Sequence, residues 1–117
     1  MSSDPDCLFC SIVAGTVPAT IVASSADAIA FEDVAPVAPV HVLVVPRAHY
    51  ADAASIGPDA PSVLAGIVEL GNDVARSRGI ADGGYRLVFN VGVDGGQTVR
   101  HLHLHVLGGR KFVWPPG

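Results

Sequence analysis

His101-Leu102-His103-Leu104-His105 is the stretch of this chain best suited to chemistry. In a β-strand, successive side chains point to opposite faces. Three imidazoles would then share one face, with Leu102, Leu104 and Val106 on the other. Imidazole titrates near neutral pH and serves as base, acid, nucleophile or metal ligand. Just upstream, Gly95-Gly96-Gln97-Thr98 offers backbone N–H groups and two polar side chains. Such a turn can cradle a phosphate. A solvated surface strand is the plain alternative, but the strict alternation with leucine argues against it. An expression tag would sit at a terminus without interleaved leucines. Two chemical readings remain. One is metal binding by imidazoles two residues apart. The other is nucleophilic attack on phosphorus by one imidazole, with its neighbours handling charge and protons.

The elements that must position these residues are legible from local pattern. Cys7 to Ala14 reads as a short helix, with Leu8, Ile12 and Phe9 on its apolar face and Gly15 as its stop. Thr20–Ser24 and Ala28–Glu32 read as a hairpin turning at Ser25-Ala26-Asp27. Pro36 and Pro39 mark an irregular connection. His41–Pro46 is a β-branched run ended by proline, with His41, Leu43 and Val45 opposite Val42 and Val44. Pro61 to Arg78 is the one long helix, its apolar positions Val63, Ile67, Leu70 and Val74 at helical spacing. Tyr85–Val91 reads as a strand with Arg86, Val88 and Asn90 on one side. Leu102–Leu107 is the last strand, and the tail Lys111–Gly117 is too proline-rich to extend a sheet. This order of elements predicts an α+β fold with a mostly antiparallel sheet.

Bulk properties narrow the function. At 117 residues, half of them apolar, the chain has the size of one globular domain. No apolar run reaches the length of a membrane span, since Pro36, Pro39 and His41 interrupt Val34–Val45. The acidic start Ser2-Ser3-Asp4-Pro5-Asp6 lacks the features of a secretory signal, so a cytoplasmic location is expected. A formal net charge of −4 disfavours nucleic-acid-backbone binding but leaves room for a small phosphate ester. Cys7 and Cys10 form Cys-x-x-Cys. A cytoplasmic disulfide is disfavoured, and a redox pair would need a βαβ setting that is missing. As zinc ligands the two would need two more, and five histidines are available.

His101-Leu102-His103-Leu104-His105-Val106-Leu107 resembles the signature of the histidine triad family of nucleotide hydrolases and transferases. The likeness extends through Ala30-Phe31-Glu32-Asp33, Ala38 to His49, Asn90 and Asp94-Gly95-Gly96-Gln97-Thr98. Gly108-Gly109-Arg110 and Trp114-Pro115-Pro116-Gly117 resemble the Hint branch, the purine nucleoside phosphoramidases. The resemblance implies one domain over residues 1–117, with an N-terminal extension 1–6 and a tail 109–117. It implies a five-stranded antiparallel sheet with one long and one short helix, and a homodimer whose sheets join.

It further implies that His103 attacks the α-phosphorus of a purine nucleoside phosphoramidate, releasing AMP or GMP. His105 and the backbone near Gly96 and Thr98 would stabilise charge. Gln97 and the Thr98 hydroxyl would face the phosphate and leaving group, and His41 would orient or relay protons. Asp33 would accept from the ribose, Phe9, Ile12, Phe31 and Val34 would form the base slot, and Asn90 would line the nucleotide site. Trp114 would reach the partner's site across the dimer. Cys7, Cys10, His49 and His101 match the positions that hold structural zinc in bacterial members, with no metal needed for the chemical step. Diadenosine polyphosphate hydrolysis, nucleotidyl transfer and nucleotide binding without turnover are the competing functions. A metal-dependent hydrolase is a fourth.

Overall fold

The computed structural model describes residues 3–58 and 61–117. Residues 1 and 2 of the N-terminal extension lie outside the described residues. The elements run α1 (Leu8–Ala14), β1 (Ile21–Ser24), β2 (Ala28–Glu32), β3 (Val40–Pro46), a short 3-10 turn (Ala53–Ser55), α2 (Pro61–Ser77), β4 (Arg86–Phe89) and β5 (Leu104–Gly108). The strands form one antiparallel sheet in the order β1-β2-β3-β5-β4. The α+β class, the five strands and the two helices therefore match the expectation. No helix among the described residues is long and apolar enough to cross a membrane.

Strand alternation divides the molecule into two apolar layers. Ala28, Ala30, Val42, Val44, Leu102, Leu104 and Val106 face α2, which answers with Ile67, Leu70, Val74 and Ala75. Ile29, Phe31, Leu43 and Val45 face the other way and pack on Phe9 of α1. Each buried leucine or valine contributes about 1.5–3 kcal/mol, so this pairing fixes which way every neighbouring residue points. The alternation that buries Leu102 and Leu104 turns His103 and His105 to the α1 side.

The last strand begins at Leu104, not Leu102. Val44 pairs with Leu104, so the β3 residue two positions on, opposite Leu102, is Pro46, which has no N–H to give. The Pro46 carbonyl instead accepts from the His101 ring at 3.0 Å, and Leu102 N–H donates to the Tyr50 carbonyl at 2.6 Å. The strand read over Tyr85–Val91 is confined to Arg86–Phe89. Cys7 caps α1 rather than joining it, its sulfur accepting from the Cys10 N–H. Leu8, assigned above to the apolar face of that helix, is half exposed, and Phe9 and Cys10 are its buried residues. Gly15 ends the helix at φ 80°, in the left-handed region where only glycine is unstrained.

Helix α2 approaches the sheet closely at Gly71, where a Cβ would stand 2.9 Å from Leu104 Cδ2 and 3.3 Å from Val106 Cγ2. Gly66, one turn earlier, would meet nothing within 4 Å. Gly71→Val is expected to lower stability to urea unfolding by about 1–3 kcal/mol through overpacking. Gly66→Ala is expected to raise it by about 0.5–1 kcal/mol. Equal effects at the two sites would contradict this packing.

Candidate functional site

The loop entering β5 presents His103, which is 7% exposed. Its Nδ1 lies 2.7 Å from the carbonyl oxygen of His101. A carbonyl only accepts, so Nδ1 carries the ring proton and Nε2 keeps its lone pair. The Phe9 ring meets this imidazole edge-on at 5.0 Å and limits its rotation. With Nδ1–H so held, the neutral tautomer carries its lone pair on Nε2, the atom that can act as a nucleophile.

His105 follows on β5, and its ring centroid lies 5.0 Å from that of His103. Its tautomer is set from further away. The Val37 N–H donates to His41 Nδ1 at 3.1 Å, which places the His41 proton on Nε2. That N–H donates to His105 Nδ1 at 2.9 Å, so the His105 proton sits on Nε2. Asn90 Nδ2 lies 3.4 Å from that nitrogen; two N–H groups cannot pair, so the hydrogen-bond network assigns the amide turned over, with its oxygen accepting from His105. His103 and His105 therefore differ in role: one offers a lone pair, the other an N–H. Burial holds the His105 pKa down to about 4, with His103 and His41 adding to the shift and Asp33 opposing it. Burial also lowers His41, against the pull of Asp33 and Glu32.

Beside these imidazoles opens a cleft of about 250 Å³. Phe9, Ile12, Phe31, Asp33, Val34, Thr98, His103 and His105 all line it, as named from the sequence. Leu8, Pro18, Ala19, Glu32, Leu43 and Val99 also line it and were missed. Leu43 could have been found, because strand alternation puts it on the His41 side of β3. Pro18 and Ala19 carry no local signal; the fold alone brings them there.

Several expected site residues do not line the cleft. Gln97 is turned into its own loop: Oε1 accepts from the Gly92 N–H at 3.0 Å, and Nε2 donates to the Ala51 and Val99 carbonyls at 2.8 and 3.0 Å. The Gly96 and Gln97 N–H groups donate to the Val93 and Gly92 carbonyls. The expected phosphate cradle at Gly96 and Gln97 is thus satisfied internally, and of that loop Thr98 and Val99 face the cleft. Asn90 reaches the site only through His105. Trp114 is 84% exposed and does not line the cleft of its own chain. The tail before it is held by Arg86, which donates to the Val113 carbonyl, and by the Arg86 and Arg110 guanidiniums over the Phe112 ring.

Cys7, Cys10, His49 and His101 form a second cluster, their ligand atoms all within 4.8 Å of one another. Both cysteines are free thiols. His101 Nδ1 lies 3.4 Å from each sulfur and 3.2 Å from His49 Nδ1, which is 3.3 Å from Cys10 Sγ. Bonds of about 2.3 Å to sulfur and 2.0 Å to nitrogen in a tetrahedron put ligand atoms about 3.3–3.8 Å apart, so the set fits a zinc-sized ion. His101 donates from Nε2 to the Pro46 carbonyl, which leaves Nδ1 bare and facing the sulfurs. Burial lowers the His101 pKa to about 4 and raises that of the Cys10 thiol.

Asp33, His41 and His105 also bring ligand atoms within 4.8 Å. A metal on His41 Nε2 would force the ring proton onto Nδ1, against the Val37 N–H that already donates there. This trio is built to share a proton, not to hold a cation.

The comparisons agree with this geometry. A family model described as HIT domain matches residues 14–112. An uncharacterized HIT-like protein of Synechocystis is 44% identical over 112 residues, covering 96% of this chain and 97% of that protein. A HIT family hydrolase from Legionella pneumophila superposes with a TM-score of 0.93 at 46% identity, covering 96% of this chain and 100% of the other. A HIT family hydrolase from Clostridium thermocellum gives a TM-score of 0.92 at 42% identity, covering 95% and 96%. The family match runs through the site from Asp33 to His105, and the chain belongs to the HIT domain family.

Proposed function

We propose that the protein is a nucleotide-binding hydrolase of the Hint type. It cleaves the P–N bond of purine nucleoside 5′-phosphoramidates and releases AMP or GMP. The observation that carries this reading is the hydrogen-bond pattern, beside one apolar cleft, that assigns opposed tautomers to His103 and His105. An imidazole lone pair and an imidazole N–H, on rings whose centroids lie 5.0 Å apart, suit attack on phosphorus and charge stabilisation on its oxygens. The Legionella and Clostridium neighbours, both named as hydrolases, support turnover over mere binding.

In this mechanism His103 Nε2 attacks the phosphorus and forms a nucleotidyl-histidine. The P–N bond breaks, and the amine leaves with a proton from His105 Nε2. Water then cleaves the intermediate and restores neutral His103. His41 keeps His105 in its donor form, and Asn90 steadies the same ring. The Thr98 hydroxyl contacts the phosphate, and Gln97 acts by holding the loop that presents Thr98, with Gly96 as its turn. Phe9, Ile12, Phe31 and Val34 take the base, and Asp33 accepts from the ribose. A homodimer whose sheets join would bring Trp114 of the partner subunit toward the leaving group. We assign one zinc ion to Cys7, Cys10, His49 and His101. With four protein ligands such an ion supplies folding energy and has no open position for hydrolysis. The soluble reaction and acidic chain fit a cytoplasmic enzyme without nucleic-acid or membrane partners.

Adenosine 5′-phosphoramidate, incubated in EDTA with wild type and His103→Ala, tests the activity. Wild type is expected to release AMP, and the variant to lose at least about 10³-fold in rate while still binding AMP. A wild type that binds AMP but never turns over would contradict the proposal. For the metal, elemental analysis is expected to find about one zinc per chain, lost in Cys10→Ser together with several degrees of Tm. A metal-free protein of unchanged Tm would refute that assignment.

A further inference from the structure

We propose that Asp33 is a positioning residue for His41 and, through it, for His105, separately from any contact it makes with a ribose. The proposal rests on the phosphoramidase reading for its chemistry, but its geometry stands alone. Asp33 Oδ1 accepts the Ala35 N–H at 2.8 Å, which fixes the carboxylate in a tight turn at the end of β2. Asp33 Oδ2 then lies 3.3 Å from His41 Nε2. His41 is 5% exposed, and its other nitrogen is taken by the Val37 N–H. The single His41 N–H therefore has two acceptors in reach, His105 Nδ1 at 2.9 Å and Asp33 Oδ2 at 3.3 Å.

The second acceptor has a use in turnover. To release a proton to the departing amine, His105 must pass through a form protonated on both nitrogens. Its Nδ1 then becomes an N–H and can no longer accept from His41. Without Asp33, two N–H groups would face each other in a buried space. With Asp33, the His41 N–H turns to Oδ2 and keeps a partner, and the carboxylate charge stabilises the imidazolium. The balance closes. His105 takes up one proton from solvent before the attack and gives one from Nε2 to the amine as the P–N bond breaks and the His103–phosphorus bond forms; the water that later cleaves the His103–phosphorus bond returns one proton to solvent. Glu32, the neighbouring carboxylate, is paired with Arg78 and does not substitute for Asp33.

Asp33→Asn keeps an acceptor for the Ala35 N–H but removes the charge. Its test compares adenosine 5′-phosphoramidate with the 2′,3′-dideoxyadenosine analogue, which has no ribose hydroxyls to bind. The proposal expects kcat to fall by at least about tenfold on both substrates, with a raised KM on the ribose substrate only. A kcat loss confined to the ribose substrate would overturn it, leaving Asp33 as a ribose ligand alone. Histidine 15N NMR of the substrate-free protein gives an arm independent of activity. Asp33→Asn is expected to move the His41 Nε2 and His105 Nδ1 resonances, and unchanged resonances would overturn the proposal. If wild type turns over neither substrate, the phosphoramidase reading falls and the NMR result alone decides the role of Asp33. The NMR result also decides if only the dideoxy analogue fails. Asp33→Ser serves both arms if the asparagine variant does not fold.

Discussion

The hydrogen bond from His103 Nδ1–H to the His101 carbonyl, 2.7 Å long, is the contact on which the site depends. It decides which nitrogen of His103 is free. It also joins the two clusters, because His101 offers its carbonyl to His103 and its ring to Cys7, Cys10 and His49. That ring is oriented in turn by the Pro46 carbonyl at 3.0 Å. The end of β3 thus sets the His101 ring, His101 sets His103, and Val37 through His41 sets His105. The tautomers of His41, His101 and His103 are thus each set by a backbone group, and that of His105 by His41.

One segment serves both core and site because of a simple period. Leu102, Leu104 and Val106 are completely buried against α2, and that burial holds the segment in register. The intervening imidazoles must then face α1, where Phe9 and Phe31 make the surroundings apolar. Low polarity keeps His101 and His105 neutral near pH 7, each with a pKa of about 4. A neutral imidazole is what metal ligation at His101 requires, and it leaves His105 a single N–H on Nε2. The fold thereby supplies the protonation state as well as the position.

Much of this was legible in the sequence because it depends on short-range pattern. The alternation at His101–Val106, the helix periodicity of Val63–Val74 and the stop at Gly15 each place residues correctly. The four metal-ligating residues and most of the cleft lining followed from the family resemblance and come together in space. What failed depends on long-range bonds. Gln97 has the composition of a phosphate ligand, but its amide is consumed by Ala51, 46 residues earlier, and by its own loop. The early end of the β5 ladder follows from Pro46, 55 residues before His101. Neither partner can be read from the local window. The acceptor role of Asp33 toward His41 was likewise invisible, since Asp33 and His41 meet only when the Pro36–Pro39 connection folds back.

The central claim is that His103 forms a covalent bond to the substrate phosphorus. Rapid quenching of wild type and adenosine 5′-phosphoramidate into alkaline denaturant, where a phosphorus–histidine bond survives, tests it directly when followed by peptide mass spectrometry. One AMP adduct is expected on the peptide containing residues 101–105, with fragmentation placing it on His103. Turnover with no adduct on a millisecond timescale, or an adduct on His105, would contradict the account.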